Sequence, residues 1–94
     1  MAKVVVISWQ EIPSMVEVKS GRTRHKVQLS EPFQELIDLI AMKRGLDGSD
    51  DYLLHWKRQS LDDRDGNVED VAQAVASEIE ATYATVRAEA LANS

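Results

Sequence analysis

Apolar and polar positions along the chain change period several times, and each change marks an element. Lys3-Val-Val-Val-Ile-Ser-Trp9 is β-branched and apolar at successive positions, the pattern of a strand covered on both faces and hence central in its sheet. Gln10-Glu-Ile-Pro13 interrupts it. Proline removes a ladder donor and pushes Ile12 toward extended geometry, so a turn or crossover belongs there. From Ser14 to Lys19 the pattern alternates, with Val16 and Val18 on one face and Met15, Glu17 and Lys19 on the other. Thr23 to Leu29 repeats the alternation, with His25, Val27 and Leu29 facing inward. Gly21 can take the positive φ of a two-residue mirror-image turn at Gly21-Arg22. That turn fixes a register: Lys19 faces Arg24, Val18 faces His25, Glu17 faces Lys26 and Val16 faces Val27. One cross-strand ion pair follows, Glu17 with Lys26. One like-charge pair is left over, Lys19 with Arg24, which disfavours the sheet by roughly a few tenths of a kcal/mol.

The period then becomes helical. Ser30 as N-cap, Pro32 in the first turn, and Phe33, Leu36, Ile37 and Ile40 on one stripe predict a helix that runs to Gly45. Lys43 and Arg44 fall in its last turn, where the dipole favours cations, and Gly45-Leu46 suits a left-handed cap with a following hydrophobic contact. Ser49-Asp-Asp-Tyr-Leu-Leu-His-Trp56 predicts a short helix capped by Ser49, with Trp56 sharing a face with Tyr52 or Leu53. Ser60 to Gly66 reads as a polar turn, and Asn67-Val-Glu-Asp70 as a capping arrangement. Val68, Val71, Ala72, Val75, Ile79, Tyr83 and Val86 then trace one long helix to about Leu91. Its Val/Ala stripe is narrow, which suits loose packing or a homodimer through the C-terminal helix. The expected fold is α+β, a small three-stranded, mainly antiparallel sheet followed by three helices packed on one face, in a single domain over residues 1–94.

Composition sharpens this picture. An apolar content of 44% and a charged content of 29% belong to a soluble globular protein, and 94 residues allow one core without staples. The absence of cysteine excludes disulfides, thiolate nucleophiles and sulfur-ligated metals, and it suits a reducing cytoplasm. The longest apolar run, Val4 to Ile7, is far too short to span a bilayer or serve as a signal, so the expected location is cytoplasmic with no membrane partner. A net charge of −5 argues against nucleic acid as a partner, because phosphate affinity is built from accumulated Lys and Arg. The charge is uneven. Residues 1–61 carry nine Lys/Arg against eight Asp/Glu, and residues 62–94 carry two against eight.

Catalytic and metal chemistry find little footing. His25 and His55 stand in different elements, read as a sheet-margin residue and a helix-surface residue, and one imidazole makes neither a coordination shell nor an oriented acid–base couple. Ser8, Ser14 and Ser20 lack the Gly-x-Ser-x-Gly turn that exposes a nucleophile. Asp62-Asp-Arg-Asp-Gly-Asn67 fails as a calcium loop: with Gly66 at the sixth position, Leu61 takes the first ligand position and Ala72 the place of the bidentate glutamate. The glycines lack phosphate-loop spacing. No catalytic residue, metal or cofactor is expected.

Trp9-Gln-Glu-Ile-Pro13, Lys19-Ser-Gly-Arg22, Leu29-Ser-Glu-Pro-Phe33 and Asp51-Tyr-Leu-Leu-His-Trp56 together resemble the small bacterial domain family labelled "virulence factor", which is also similar to the terminal part of the staphylococcal conserved virulence factor C. The resemblance covers roughly residues 3–59 and leaves the acidic segment after Gly66 outside it. The label records a phenotype and supplies no catalytic residues. It implies an accessory subunit attached to enzymes of folate- and corrinoid-dependent methyl transfer.

Lys19-Ser-Gly-Arg-Thr-Arg-His-Lys26 remains, a basic cluster in an acidic chain. One reading is edge protection, since native sheets charge their edges against aggregation. The other is a docking surface in which Lys19, Arg22, Arg24 and Lys26 await a partner's carboxylates, with Trp9 as a hot spot if it is exposed beside Ile12 and Pro13. The expected function is a non-enzymatic protein-interaction module or accessory subunit whose partner is another protein with an acidic surface. The alternative is a binder or enzyme that takes a small phosphorylated or folate-like anion at the hairpin.

Overall fold

The computed structural model describes residues 1–46, 48 and 50–93. Its elements run β1 (Ala2–Trp9), β2 (Ile12–Ser20), β3 (Thr23–Gln28), α1 (Glu31–Lys43), α2 (Asp50–Leu54), β4 (Trp56–Arg64), α3 (Val68–Glu80) and α4 (Tyr83–Ala92). The sheet is antiparallel throughout, in the order β3-β2-β1-β4. The α+β class and the central place of β1 agree with the pattern of the sequence, but the described residues form a sheet of four strands rather than three and four helices rather than three.

The fourth strand corrects the reading of residues 56–66. Trp56 does not end a helical stripe; it opens β4 and pairs with Trp9. Residues 57–63 are all exposed, so β4 carries no inward apolar alternation and is held at the edge by its ladder to β1. His55 therefore sits at the junction of α2 and β4 rather than on a helix surface, and its carbonyl accepts a hydrogen bond from Gln10 N–H at 3.0 Å. The capping role expected of Ser49 lies outside the described residues.

β1 and β2 are joined by a tight turn at Gln10-Glu11, closed by the Trp9–Ile12 pair. Gln10 adopts φ +52, a left-handed conformation that costs a side-chain-bearing residue about 1–2 kcal/mol. Arg44 offsets this cost. Its guanidinium donates to Gln10 Oε1 and to Glu11 Oε1, the latter at 2.7 Å, and reaches the Ala90 carbonyl at 3.5 Å. It thereby ties the turn to the end of α1 and to α4. Pro13 is accommodated in an interior strand because the register slips between Ile7 and Ser8, pairing Ser8 with Pro13 and leaving Ser14 as the extra residue.

α1 ends as its sequence predicts: Gly45 takes φ +71, its N–H bonds Met42 O, and Leu46 N–H bonds Ala41 O, the paired bonds of a left-handed helix stop. Ser30 occupies the N-cap position but makes no side-chain cap bond. Instead its Oγ and N–H both donate to the Glu80 carboxylate, at 2.6 and 2.9 Å.

The expected single C-terminal helix is two helices. Asn67 caps α3 by accepting from Asp70 N–H at 2.8 Å. At the other end Thr82 donates from both its N–H and its Oγ1 to Ile79 O, closing a tight turn that competes with continuation of the helix. The break lets Tyr83 pack edge-on against Phe33, centroids 5.1 Å apart, and sets α4 on α1. The Val/Ala stripe of α3, Val68, Val71, Ala72, Val75 and Ala76, is buried, with α3 lying on β2 and β3. The face expected to seek a second copy is thus used within the chain. The core joins Val4, Val16, Val18, Ile12, Phe33, Leu36, Ile37 and Ile40 to that stripe.

Candidate docking surface

The hairpin forms in the predicted register, from Val16–Val27 through Lys19–Arg24 to Ser20–Thr23. Gly21 takes φ +58, and Gln10 is the one described non-glycine residue with positive φ. Arg22 is therefore on the negative side, as the Gly-first mirror-image turn requires. Arg22 is exposed at its tip, with Lys19, Arg24 and Lys26 exposed on the strands behind it.

The ion pairing departs from the register's expectation. Glu17 does not bridge Lys26. Its carboxylate bonds Arg24 Nε diagonally and Arg58 from β4, each at 3.2 Å. Glu17 is only 6% exposed. Burial alone would raise its pKa, but the hydrogen bond and charge of Arg58, with the charges of Arg24 and Lys26, hold the carboxyl below the ordinary glutamate value of 4.5. Arg24 thereby escapes much of its repulsion with Lys19, and the like-charge pair is eased within the chain. Nothing in the sequence near the hairpin signals Arg58, because that contact depends on β4.

Lys26 faces Glu17 across the ladder and its charge helps keep that carboxyl ionised, without forming a bridge. Among the described residues Lys19, Arg22 and Lys26 form no ion pair, and neither does Lys3, which is the cross-strand partner of Lys19. Lys3, Lys19 and Arg24 consequently make a row across β1, β2 and β3. A depression of about 270 Å³ opens beside this row, lined by Met1, Lys3, Lys19, Ser20 and Gly21. Nothing in the sequence around Lys3 signals this placement, since only its pairing with Lys19 brings it there.

α3 lies on β2 and β3, but among the described residues its carboxylates form no ion pair with the hairpin cations. Glu78 makes a two-bond pair with Arg64, both bonds 2.7 Å, which holds the Glu78 carboxyl below its ordinary value. Glu80 is taken up by Ser30.

Trp9 is not part of the surface. It is fully buried, donates from Nε1 to Tyr52 O at 2.8 Å, and stacks on Tyr52 with centroids 5.5 Å apart. His55 meets its ring edge-on at 5.7 Å. The hot-spot role suggested for Trp9 required exposure, and packing against α2 removes it. His25 lies on the edge strand β3 opposite Val18, far in the ladder from the Trp9 end where His55 sits. Among the described residues no group of three or more His, Asp or Glu side chains is gathered for a metal, and no helix is long and apolar enough to cross a membrane.

A family model described as "Virulence factor" matches residues 7–92. The match extends through α3 and α4, so the acidic C-terminal helices lie inside the family's span rather than beyond it. No curated protein and no solved structure matches the chain.

Proposed function

The chain belongs to the virulence factor family, and from that premise we propose that it is a non-catalytic binding module of the bacterial cytoplasm whose β2–β3 hairpin docks an acidic surface of another protein. The observation that carries this reading is that, among the described residues, Lys19, Arg22 and Lys26 form no ion pair in a chain of net charge −5, while the α3 carboxylates Glu78 and Glu80 are taken up by Arg64 and Ser30. Like charges gathered on adjacent strands store a small repulsion, and a partner's carboxylates would relieve it while steering the encounter. Enzymes of folate- and corrinoid-dependent methyl transfer, the partner class implied by the family resemblance, are the first to try. The test is capture from native extract by the immobilised chain, compared with an Arg22→Glu/Lys26→Glu variant that keeps Arg24 and Arg58, the two arginines bridged to Glu17. A partner retained by the wild type and lost by the variant, with unchanged circular dichroism, is the expected result. Identical capture by both proteins would contradict the reading.

A second reading is supported by the depression at Lys3, Lys19, Ser20 and Gly21. In it the same pole binds a small phosphorylated or folate-like anion. Such a ligand would raise the melting temperature with concentration, and a flat response across these anions would remove it.

A further inference from the structure

We propose that two copies of the chain pair through the free edge of β4, antiparallel and about a two-fold axis at Ser60. Trp56–Arg64 is a nine-residue edge strand, with β1 on one side and, among the described residues, no strand on the other. An edge of this length presents unsatisfied N–H and C=O groups that template further pairing. The hydrogen bond from Gln10 N–H to His55 O makes Trp9 and Trp56 a non-hydrogen-bonded pair. Alternation along an antiparallel ladder then turns the N–H and C=O of Arg58 and Ser60 away from β1. An axis at Ser60 is therefore allowed, and it joins Ser60 to its own copy by two reciprocal backbone bonds.

The charge pattern selects this register. With Ser60 opposite itself, Arg58 meets Asp62 of the other copy and Lys57 meets Asp63, and symmetry repeats both unlike pairs. Centring on Arg58 or on Asp62 would oppose like charges, and centring on Leu61 would set Arg58 against Arg64. Within the chain, Lys57, Asp62 and Asp63 form no ion pair among the described residues, and Arg58 has Glu17 as its partner. The ladder irregularity between Ala2 and Val4 leaves Asp62 and Asp63 together opposite Lys3, which places both carboxylates at the end of the run where the other copy's cations would arrive. On the helix side of the strand, Leu61 is 38% exposed and borders a depression of about 270 Å³ with Val6, Ile79 and Val86. The second copy's Leu61 would pair with Gln59 at its rim. An isologous contact of this kind closes on itself and does not propagate. It lies at the opposite edge of the sheet from the β2–β3 hairpin, so neither interaction requires the other.

Sedimentation velocity of the full chain over a concentration series should show a monomer–dimer equilibrium. Ser60→Pro removes an amide that β1 does not use, and Asp62→Arg opposes like charges across the axis; each should sediment as a monomer at every concentration with wild-type circular dichroism. Arg58→Asp alone should also be monomeric, yet an equimolar mixture with Asp62→Arg should recover the dimer, because unlike charges again meet at both ends. If Arg58→Asp fails to fold for want of its bridge to Glu17, the Ser60→Pro and Asp62→Arg variants decide alone. A wild type that stays monomeric throughout, or a Ser60→Pro chain that dimerises as the wild type does, overturns the proposal.

Discussion

Glu17 sits between Arg24 and Arg58 with its carboxylate largely withdrawn from water while both cations stay more than half exposed. Because the cations are solvated, the pair energies are screened, and Glu17→Gln should cost only about 1 kcal/mol at neutral pH, read from urea unfolding. The folded carboxyl lies below 4.5, so its contribution is fully present above that pH and is lost as pH falls through the folded value. The stability gap between wild type and Glu17→Gln should therefore narrow below pH 4.5; a gap that widens in acid would contradict the assignment. Gly21 offers a second test at this scale. A Cβ there would meet nothing within 4 Å, so its φ of +58 is the whole cost, and Gly21→Ala should lower stability by about 1 kcal/mol without disturbing the core. Trp9→Phe keeps an aromatic ring but leaves the Tyr52 carbonyl with only the longer bond from His55 N–H, at 3.4 Å. A loss of about 2 kcal/mol is expected, with a changed near-ultraviolet spectrum from the Trp9–Tyr52 stack.

Elements were legible where local chemistry and burial agree. The hairpin register could be read because Gly21 dictates the turn and Val16, Val18 and Val27 dictate the inward face; the end of α1 could be read because Gly45 and Leu46 satisfy its last carbonyls. β4 could not, since an exposed edge strand is specified by backbone bonds to β1 and by nothing periodic in Trp56–Arg64. The loss of β4 from the sequence reading also hid the Arg58 bridge and left Trp56 on the wrong element. The α3–α4 break was hidden for a different reason: Thr82 and its neighbours are compatible with a helix, and the turn is favoured because Tyr83 then meets Phe33. Tyr83→Ala should accordingly reduce stability by about 1–2 kcal/mol and loosen α4, detectable as faster amide exchange in residues 84–92 than in α3. Equal exchange in both helices would mean that α4 is held by something other than this contact.

At the scale of the whole molecule, an acidic chain presents one cationic edge. Glu78 and Glu80 of α3 are taken up by Arg64 and Ser30, while Lys19, Arg22 and Lys26 of the hairpin form no ion pair among the described residues. That separation is the basis for proposing the hairpin as a docking surface rather than edge protection alone, and the proposal can be tested without knowing the partner. Backbone amide shifts of the labelled chain should be followed by NMR during titration with polyglutamate at low ionic strength. The account predicts perturbations concentrated at Lys3 and Lys19–Lys26, abolished in the Arg22→Glu/Lys26→Glu variant. Shifts centred instead on Lys43, Lys57 or Arg87, or no shifts at the hairpin at all, would contradict it.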